Sequence, residues 1–399
     1  GTTVEDLSPV AIAEFRVRWA KRIRDDRRLG WSDLETLTNA ELLVDGQVTY
    51  AALILFGSRA ALTRRLSQSE VVFEYRSSEA SGPAADREEF REGFLLFQER
   101  IWQKLNLRND RQSFQYGLFR VELPTFDEVA VRESLLNAIA HRDYRLGGSV
   151  FVRQFSQRLE VVSPGGLPPG ITAENILEQQ NPRNRRLAEA LSKCGLIERS
   201  GQGMNLMFES AIRQGKPLPS LAGTSDHEVR LTIEGAVRNP AFVRFLESLN
   251  AETVRTFSTY DLLALDRLSR DEPLSEDLRS RLPDLVAAGA VESVGRGRGM
   301  RYLLSRRLYE ALGAKGVYTR RRGLDRATNK ALLLRHLLDQ GDGGAPISEL
   351  RQVLPSESEL GVRRLLDELR QEGHVVLHGQ RRWARWVRAP KAQNPSVSA

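Results

Sequence analysis

The stretch VRESLLNAIAHRDYR, residues 131–145, constrains the fold and function of this chain more than any other segment. Its leucines and isoleucine follow helical spacing, so one side of a helix is buried. Glu133, Asn137 and His141 recur at four-residue intervals, which places three polar side chains on one face of that helix, one above the other. A site that polarises a water and holds a metal needs such an arrangement, although a solvated helix face can carry it too.

Around this helix the chain alternates between strand patterns and helix patterns. Alternating residues predict strands at residues 70–76, 113–123, 147–166 (a hairpin) and 227–235. Helical apolar spacing marks residues 9–28, 87–106, 126–142, 183–199 and 203–215. Residues 50–57, YAALILFG, fit either a strand or a short buried helix. We therefore predict an α+β fold, an α/β sandwich in which helices cover one face of a sheet.

Two glycine-rich turns and a cationic segment follow the helix in order. They are SPGGLPPG (163–170), NPRNRR (181–186) and RSGQGMN (199–205), which opens a helix. Glycines at a helix start let backbone N–H groups approach an anion, and the helix dipole adds partial positive charge. The P-loop pattern G-x-x-x-x-G-K-[ST] is absent. Each turn alone is common, but the ordered set with Glu133 and Asn137 predicts a nucleoside triphosphate site without a P-loop.

This set resembles the GHKL ATPases, the superfamily that includes gyrase, histidine kinases and MutL. The chain is most similar to a bacterial and archaeal branch described as RecG-related or Schlafen AlbA-domain ATP-binding proteins. The similar segments are RESLLNAIAHRDY, SPGGLPPGIT, PRN, GLIERSGQGM and VTYAALILFG, within about residues 25–235. The resemblance implies a GHKL (Bergerat) sandwich that binds ATP and Mg²⁺. The AlbA-like DNA-contacting domain that usually precedes it is absent here, and we expect a missing upstream segment, since the chain opens on GTT without Met.

The resemblance implies a role for each residue that matches the family pattern. Glu133 matches the carboxylate that activates the attacking water, and Asn137 matches the Mg²⁺ ligand that reaches the phosphates. The chemistry supports both roles, since a carboxylate can accept a proton from water and Mg²⁺ prefers oxygen ligands. The full set assigned to ATP binding is Asn137, His141, Ser163, Gly165, Gly166, Gly170, Arg183, Asn184, Gly201 and Gly203.

Ser163 departs from the family pattern. GHKL proteins usually place an Asp before the first glycine turn to accept a hydrogen bond from adenine N6, and the close branch often has Asn. A hydroxyl can accept the same bond with less reach, so we expect weaker adenine specificity and low affinity. His141 leaves two interpretations open, a nucleotide contact or a packing and capping role at the helix end.

After Pro240 the pattern changes to helices followed by a hairpin, and this order recurs once. Helix–helix–helix–hairpin is typical of a winged helix-turn-helix. The predicted domains are a lead-in segment packed on the ATPase module (1–120), the GHKL ATP-binding core (121–238), a first winged helix (239–314), a basic connector (315–330), a second winged helix (331–391) and a disordered tail (392–399).

The net charge of +7 is concentrated near the C-terminus. Residues 1–240 hold 32 basic and 32 acidic residues, whereas residues 241–399 hold 27 basic and 20 acidic residues. Basic charge gathered in one part favours a polyanion partner, nucleic acid first, although it also fits a solubilising surface. The arginines predicted to contact DNA are Arg296, Arg298, Arg301, Arg320, Arg321, Arg322, Arg363, Arg364, Arg381, Arg382 and Arg385.

Together these features predict a weakly ATP-hydrolysing, DNA-binding protein, a nucleotide-gated switch in transcriptional control or in defence against foreign DNA such as phage. Helicase activity is not expected, because the chain has no P-loop motor motif. The resemblance implies a homodimer through the GHKL module. The alternative is a non-enzymatic DNA-binding regulator with a degenerate nucleotide fold, which Ser163 favours and Glu133 and Asn137 oppose. A histidine kinase fits poorly, because none of the five histidines lies on a separate dimerisation helix.

Composition predicts a globular, cytoplasmic protein without a membrane segment. Apolar residues are 41% and charged residues 28% of the chain. The single cysteine, Cys194, excludes an internal disulfide and fits a reducing cytosol. No apolar run approaches the roughly 20 residues that span a bilayer.

Overall fold

The computed structural model describes residues 2–78, 82–116, 119–197, 202–252, 256–294, 300–311, 326–355, 357–379 and 384–389. The chain forms two compact units, residues 1–266 and 267–399. The sequence analysis predicts the boundary between the ATP-binding core and the first winged helix at residues 238/239. Several predicted site residues lie outside the described residues, namely Gly201, Arg296, Arg298, Arg320, Arg321, Arg322, Arg381 and Arg382, as does the predicted tail.

The first unit begins with helices and a short hairpin. These are α1 (Pro9–Ile23), α2 (Asp33–Asn39), β1 (Leu43–Val44), β2 (Gln47–Val48), α3 (Tyr50–Phe56) and α4 (Arg59–Arg65). The elements that follow are β3 (Val71–Tyr75), β4 (Asp86–Phe90), α5 (Phe94–Asn106), β5 (Arg111–Tyr116), β6 (Phe119–Pro124), α6 (Glu128–His141), β7 (Val150–Gln154), β8 (Arg158–Pro164), α7 (Arg185–Lys193), α8 (Gly203–Arg213), β9 (Glu228–Glu234) and α9 (Pro240–Glu252).

A mixed five-stranded sheet forms the centre of this unit, in the order β4-β3-β7-β8-β9. β3 and β7 run parallel, with Val71 opposite Val150, and the other neighbours run antiparallel. Parallel neighbours need a crossover connection, which here contains α5, the β5–β6 hairpin and α6. The predicted α+β class is therefore confirmed, and two of the five strands come from the segment predicted as a lead-in.

One face of the sheet packs against the helices in a single core. Phe73, Val152 and Leu231 from three strands belong to the same cluster as Phe15 of α1 and Leu136 of α6. Side chains alternate between the two faces of a strand, so neighbouring positions point away from this core. The N-terminal helices and the sheet are thus one folding unit.

The opposite face of the sheet carries charged side chains. Glu74 on β3 is only 3% exposed, and its carboxylate pairs with Arg76, Arg87 and Arg153. Three cations around one carboxylate offset the cost of burying it. This face agrees with the prediction that the helices cover one side of the sheet.

Residues 86–90 form strand β4 and not the start of the helix predicted over 87–106. They pair antiparallel with β3, with Asp86 opposite Tyr75. Charged side chains suit an edge strand because they discourage further strand pairing. The helix begins only at Phe94, after Gly93, where a Cβ atom would lie 2.5 Å from the carbonyl oxygen of Leu55.

Residues 50–56, which the sequence left open, form helix α3. The residues from Ala51 to Phe56 are all buried. A helix that is surrounded on all sides shows no amphipathic period, so its sequence is indistinguishable from that of a buried strand.

Helix α6 is buried on most of its surface, which is the finding that matters most for function. Asp127 caps it by accepting hydrogen bonds from the backbone N–H groups of Val129 and Ala130. Glu133 is 6% exposed, and α6 packs against β8 and α8. The polar stripe is therefore not a solvated helix face.

The second unit contains two successive groups of helices that each end in a hairpin. The elements are α10 (Thr259–Ser269), which begins in the first unit, α11 (Glu276–Ser280), α12 (Leu282–Ala287), β10 (Val291–Val294), β11 (Arg301–Leu304), α13 (Arg306–Ala311), α14 (Arg326–Asp339), α15 (Ile347–Val353), α16 (Glu359–Gln371), β12 (Val375–His378) and β13 (Arg385–Arg388). Each hairpin pairs antiparallel. Across the described ranges, no helix has the length and apolar character needed to cross a membrane.

Candidate functional site

A cavity of about 1220 Å³ opens beside α6 in the first unit. Asn137 and His141 of α6 and Ser163 of β8 line it, as does Met204 in the first turn of α8. Its apolar surface comes from Leu167, Pro168, Ile171, Ile176, Ile197, Leu221 and the strand residues Val161, Val229 and Leu231. An apolar cavity with a few convergent polar groups is the usual form of a small-molecule site.

Glu133 lies under the start of α8, just outside the cavity lining. A Cβ atom at Gly203 would come 2.6 Å from Oε2 of Glu133 and 3.5 Å from Nδ2 of Asn137. Gln202, the N-cap of α8, makes no side-chain capping bond. The partial positive charge of this helix end therefore faces a carboxylate and an amide. The structure thus brings together Glu133, Asn137 and Gly203, which the sequence assigned to one site.

Asn137 and His141 each carry a buried polar atom without a protein partner. Within the described part of the chain, Nδ2 of Asn137 and Nδ1 of His141 accept or donate no hydrogen bond. Burial lowers the pKa of His141, and the charge of Arg183 lowers it further. A neutral imidazole and a free amide are groups that a bound ligand can satisfy.

Ser163 is 5% exposed, and its hydroxyl donates to the carbonyl oxygen of Ala138 at 2.9 Å. A hydroxyl has one hydrogen and two lone pairs, so this bond leaves only acceptor capacity on the oxygen. The side chain that stands in the position of the family Asp therefore offers the cavity an acceptor, as that Asp would.

The first glycine turn is closed by contacts within the protein. Gly165 has a φ of +95°, and a Cβ atom there would lie 2.7 Å from Cβ of Asp143. The N–H groups of Gly165 and Gly166 donate to the carbonyl oxygens of His227 and Asp226. Gly170, with a φ of +82°, has open space around it. None of these three glycines lines the cavity, although Leu167 and Pro168 between them do, and their assignment to ATP binding stays a prediction.

Arg183 and Asn184 tie the segment between β8 and α7 to the end of α6. Arg183 pairs with Asp143 at 3.1 Å and donates to the carbonyl oxygen of Gly166 at 2.6 Å. Nδ2 of Asn184 donates to the carbonyl oxygens of Ala140 and Arg142. Neither side chain lines the cavity. Their predicted part in ATP binding is therefore untested, and their visible role is to position this segment.

The sequence analysis missed the residues after His141 that hold this arrangement. Arg142 is fully buried and donates to the carbonyl oxygens of Asp143, Leu146 and Gly148. The bonds from Arg145 and the charge of Arg183 hold the pKa of Asp143 well below its usual range. The signal in the sequence was the run RDY directly after His141, the last residue of α6. Its Arg142 and Asp143 are charged and lie buried in a turn.

A second wall that the sequence analysis missed comes from α7. Arg185, Glu189 and Ser192 lie on one face of this helix at three- and four-residue intervals, and Arg186 and Lys193 stand beside them along the same cavity. The hydroxyl of Ser192 is buried without a partner among the described residues. This wall gives the cavity three cationic side chains, Arg185, Arg186 and Lys193, and one acidic side chain, Glu189.

The described residues fit a magnesium site only together with a ligand. No group of three or more His, Cys, Asp or Glu side chains in the described ranges could hold a metal ion. Asn137 offers a buried amide whose oxygen and nitrogen exchange places by a half-turn. Mg²⁺ commonly takes one or two protein ligands, with phosphates and waters completing the shell. Asn137 fits that ligand set.

The DNA-binding predictions that fall on described residues lie on the second unit. Arg363 pairs with Glu359 one turn earlier on α16, at 2.9 Å, and Arg364 beside it is exposed. Arg385 donates to the carbonyl oxygens of Gly343 and Gly344. Arg301 begins strand β11. Arg363, Arg364 and Arg385 are exposed, and Arg301 is half-buried.

The region that carries β8, α7 and the start of α8 is similar to an ATPase-like domain. Residues 147–233, which run from β7 to β9 and include α7 and α8, match the family model "Putative ATP-dependent DNA helicase recG C-terminal". The match supports a RecG-related, ATPase-like family for this part of the chain and indicates nucleotide binding. Helix α6 lies outside the matched range.

Other comparisons concern the N-terminus and the whole chain. Residues 1–72 match a domain of unknown function (DUF8451). The crystal structure of the DIP2311 protein from Corynebacterium diphtheriae is similar over 97% of this chain and 69% of that chain, with 22% identity and a TM-score of 0.59. This similarity shows the fold alone. No curated protein matches the chain at a significant level.

Proposed function

We propose that the first unit binds ATP with Mg²⁺ in the cavity beside α6, as a GHKL-type module, and hydrolyses it slowly. The observation that carries this proposal is the pair of unpartnered buried atoms on Asn137 and His141, which face a cavity large enough for a nucleotide. The acceptor oxygen of Ser163 supports adenine as the base, because adenine N6 is a donor.

Glu133 is the residue that would take a proton from the attacking water. Its carboxylate lies beside Asn137 and at the start of α8, where phosphates are favoured. Asn137 would hold Mg²⁺, which neutralises phosphate charge when bound. Glu133 is 6% exposed and lies against Gly203, so little room for a water is left beside the carboxylate. This cover supports slow hydrolysis.

The second unit supports a role in DNA binding. Its element order, helices followed by a hairpin and then the same order again, supports the proposal that it contains two winged helices. Residues 241–399 carry the whole positive excess of the chain. In this proposal the nucleotide state of the first unit controls DNA binding in transcriptional control or in defence against foreign DNA, and two copies pair through the ATPase module.

One observation favours the alternative of a DNA-binding regulator with a degenerate nucleotide fold. The N–H groups of the first glycine turn and the guanidinium of Arg183 are already engaged by the protein. Such a protein would keep the cavity without nucleotide affinity.

Two measurements separate the ATPase from the degenerate nucleotide fold. One is the melting temperature with millimolar Mg-ATP, and the other is phosphate release with and without duplex DNA. A ligand that binds only the native state raises the melting temperature by mass action. An unchanged melting curve would favour the degenerate fold. Light scattering with and without Mg-ATP tests whether two copies pair.

A further inference from the structure

Helix α10 begins in the first unit and ends in the second. Its residues up to Asp266 belong to the first unit, and Arg267 to Ser269 belong to the second. Reciprocal hydrogen bonds of the capping-box type fix its start. The N–H of Ser258 donates to Oδ2 of Asp261 at 3.0 Å, and the N–H of Asp261 donates to Oγ of Ser258 at 3.2 Å. The first turn of this continuous helix therefore lies in the unit that contains the cavity.

The first turn of α10 bonds to two elements beside the cavity. The hydroxyl of Thr259 donates to the carboxylate of Glu209 on α8, and the hydroxyl of Tyr260 donates to Oε1 of Glu178 at 3.0 Å. Glu178 lies in the segment 167–182, between β8 and α7. Thr259 is 6% exposed, whereas Glu178 is exposed. A bond at the surface exchanges readily for bonds to water, so the Tyr260–Glu178 bond is the one of the two that can open.

The segment 167–182 lies between the cavity and α10. Leu167, Ile171 and Ile176 are among the residues by which it lines the cavity. Glu178 does not line the cavity and bonds to α10 instead. A ligand in the cavity and the first turn of α10 therefore contact different sides of the same segment.

Hydrogen bonds within the segment hold it together. Nδ2 of Asn175 donates to the carbonyl oxygen of Gly170, and Nδ2 of Asn181 donates to the carbonyl oxygen of Pro169, both at 2.9 Å. The N–H of Glu178 donates to the carbonyl oxygen of Asn175. A restraint on Glu178 therefore acts on the segment as a whole.

The cavity has room for the segment to move inwards. Its volume of about 1220 Å³ exceeds the range of roughly 300–1,000 Å³ that is usual for small-molecule sites. Ile171 and Ile176 are only half-buried, so packing them on a bound ligand would remove further apolar surface from water. Because Glu178 is on the side that does not line the cavity, this movement draws it away from Tyr260.

We propose that the Tyr260–Glu178 bond is a restraint through which α10 opposes nucleotide binding. The bond holds the segment 167–182 away from the ligand and opens when the segment packs on it. This inference rests on the proposed function and names a regulation of the same site. A protein that must first leave a restrained arrangement binds with a lower apparent affinity. Because α10 continues into the second unit and coupling between two ligands is reciprocal, DNA bound there changes nucleotide affinity through the same bond.

The test is calorimetric titration of the full chain with Mg-ATP. Tyr260→Phe keeps the ring and removes the hydroxyl, so it should tighten Mg-ATP binding by up to about tenfold, the value of one hydrogen bond. Loss of a residue that only supports the fold would weaken binding instead. Glu178→Ala should give the same gain, and the double variant should gain no more, because both changes remove one bond. Tyr50→Phe, at an exposed tyrosine of α3, is the matched control and should match the wild type.

Hydrogen exchange in the free chain measures the restraint without nucleotide. Backbone amides of the segment 167–182 should exchange up to about tenfold faster in Tyr260→Phe than in the wild type or in Tyr50→Phe, because local opening becomes easier. Unchanged exchange would overturn the inference whether or not the chain binds ATP.

Three outcomes of the titrations would also overturn it. One is an equal or weaker Mg-ATP affinity in Tyr260→Phe, which would leave ATP binding itself intact. Another is a double variant in which the two gains add, since the residues would then act separately. The third is an equal effect of duplex DNA on Mg-ATP affinity in the wild type and in Tyr260→Phe. If neither the wild type nor any variant binds Mg-ATP, the proposed function fails, and the exchange data still decide whether the bond restrains the segment.

Discussion

Gly203 lies directly on the carboxylate of Glu133, although 70 residues separate them along the chain. A Cβ atom at residue 203 would come 2.6 Å from Oε2 of Glu133, a distance that real side chains do not adopt. The contact joins the centre of α6 to the start of α8. It fixes a carboxylate, an amide and a helix N-terminus in one place, and glycine is the residue that permits it.

Replacing Gly203 by Ala should therefore destabilise the protein. The added methyl group must push the end of the Glu133 side chain aside, which costs at most about 1–3 kcal/mol, the usual range for overpacking. The helix preference of Ala over Gly offsets about 1 kcal/mol of that cost. Urea unfolding measures the loss. Gly147→Ala is the matched control, because Gly147 has open space around it and should change stability little. Equal stability of the two variants would show that α8 yields freely at this contact.

The buried carboxylate and amide should separate catalysis from binding. Glu133→Gln keeps the side-chain volume and removes the base, so phosphate release should fall by about 10²–10⁴ while Mg-ATP still binds. Asn137→Ala should weaken Mg-ATP and leave adenosine affinity unchanged, because Asn137 acts on metal and phosphate. Wild-type hydrolysis in Glu133→Gln would refute the assignment of the base.

Ser163 should decide how well adenine is preferred over guanine. Ser163→Ala removes the acceptor and should lower the ratio of ATP to GTP affinity by up to about tenfold, the value of one hydrogen bond. Ser163→Asp should raise that ratio. Ser192→Ala removes another hydroxyl from the same cavity and serves as the control. Competition titrations with both nucleotides measure the ratio, and an unaltered ratio in Ser163→Ala would show that the base lies elsewhere.

The pair Asp143–Arg183 should appear in the pH dependence of stability. Bonds from Arg145 and the charge of Arg183 hold the pKa of Asp143 well below its usual range. The carboxylate therefore stabilises the fold fully above its unfolded pKa of about 3.9, and this contribution is lost as the pH falls through the lower folded pKa.

Asp143→Asn should accordingly lower the free energy of unfolding near neutral pH, and the difference from the wild type should shrink in acid. Denaturant unfolding at about pH 7 and about pH 3 measures the free energy of unfolding of the wild type and of the variant at each pH. A difference that stays constant over this range would mean that the charge of Asp143 contributes nothing. Arg183→Gln should lower stability in the same way, because it removes the ion pair with Asp143.

Duplex DNA should bind with a strong dependence on salt. The logarithm of the association constant should fall with the logarithm of salt concentration by a slope of about −0.9 per phosphate neutralised. Arg364→Ala should weaken binding and flatten the slope more than Arg363→Ala, because Arg363 already pairs with Glu359. Fluorescence anisotropy across several salt concentrations decides between them. Slopes that stay unaltered in both variants would indicate that the basic excess of the second unit serves solubility and not DNA binding.

Periodicity in the sequence was enough for most elements of the fold. The strands that bury one face, such as β3 and β9, alternate clearly, and the capped helix α6 shows its apolar spacing. The sequence predicts helix for strand β4, because its charged residues lie on a sheet edge, where the alternation of apolar and polar residues is weak. Helix α3 was ambiguous because it is buried on all sides.

The sequence by itself determined which residues would share the site on α6, since four-residue spacing fixes one helix face whatever surrounds it. Only the tertiary structure decided that this face is buried, that Gly203 covers Glu133, and that Arg183 turns to Asp143 while Arg186 faces the cavity. Neighbouring arginines have the same chemistry in a sequence. Their directions depend on partners about 40 residues away, Asp143 for Arg183, and on a helix start that the bonds of Asn184 hold beside the end of α6.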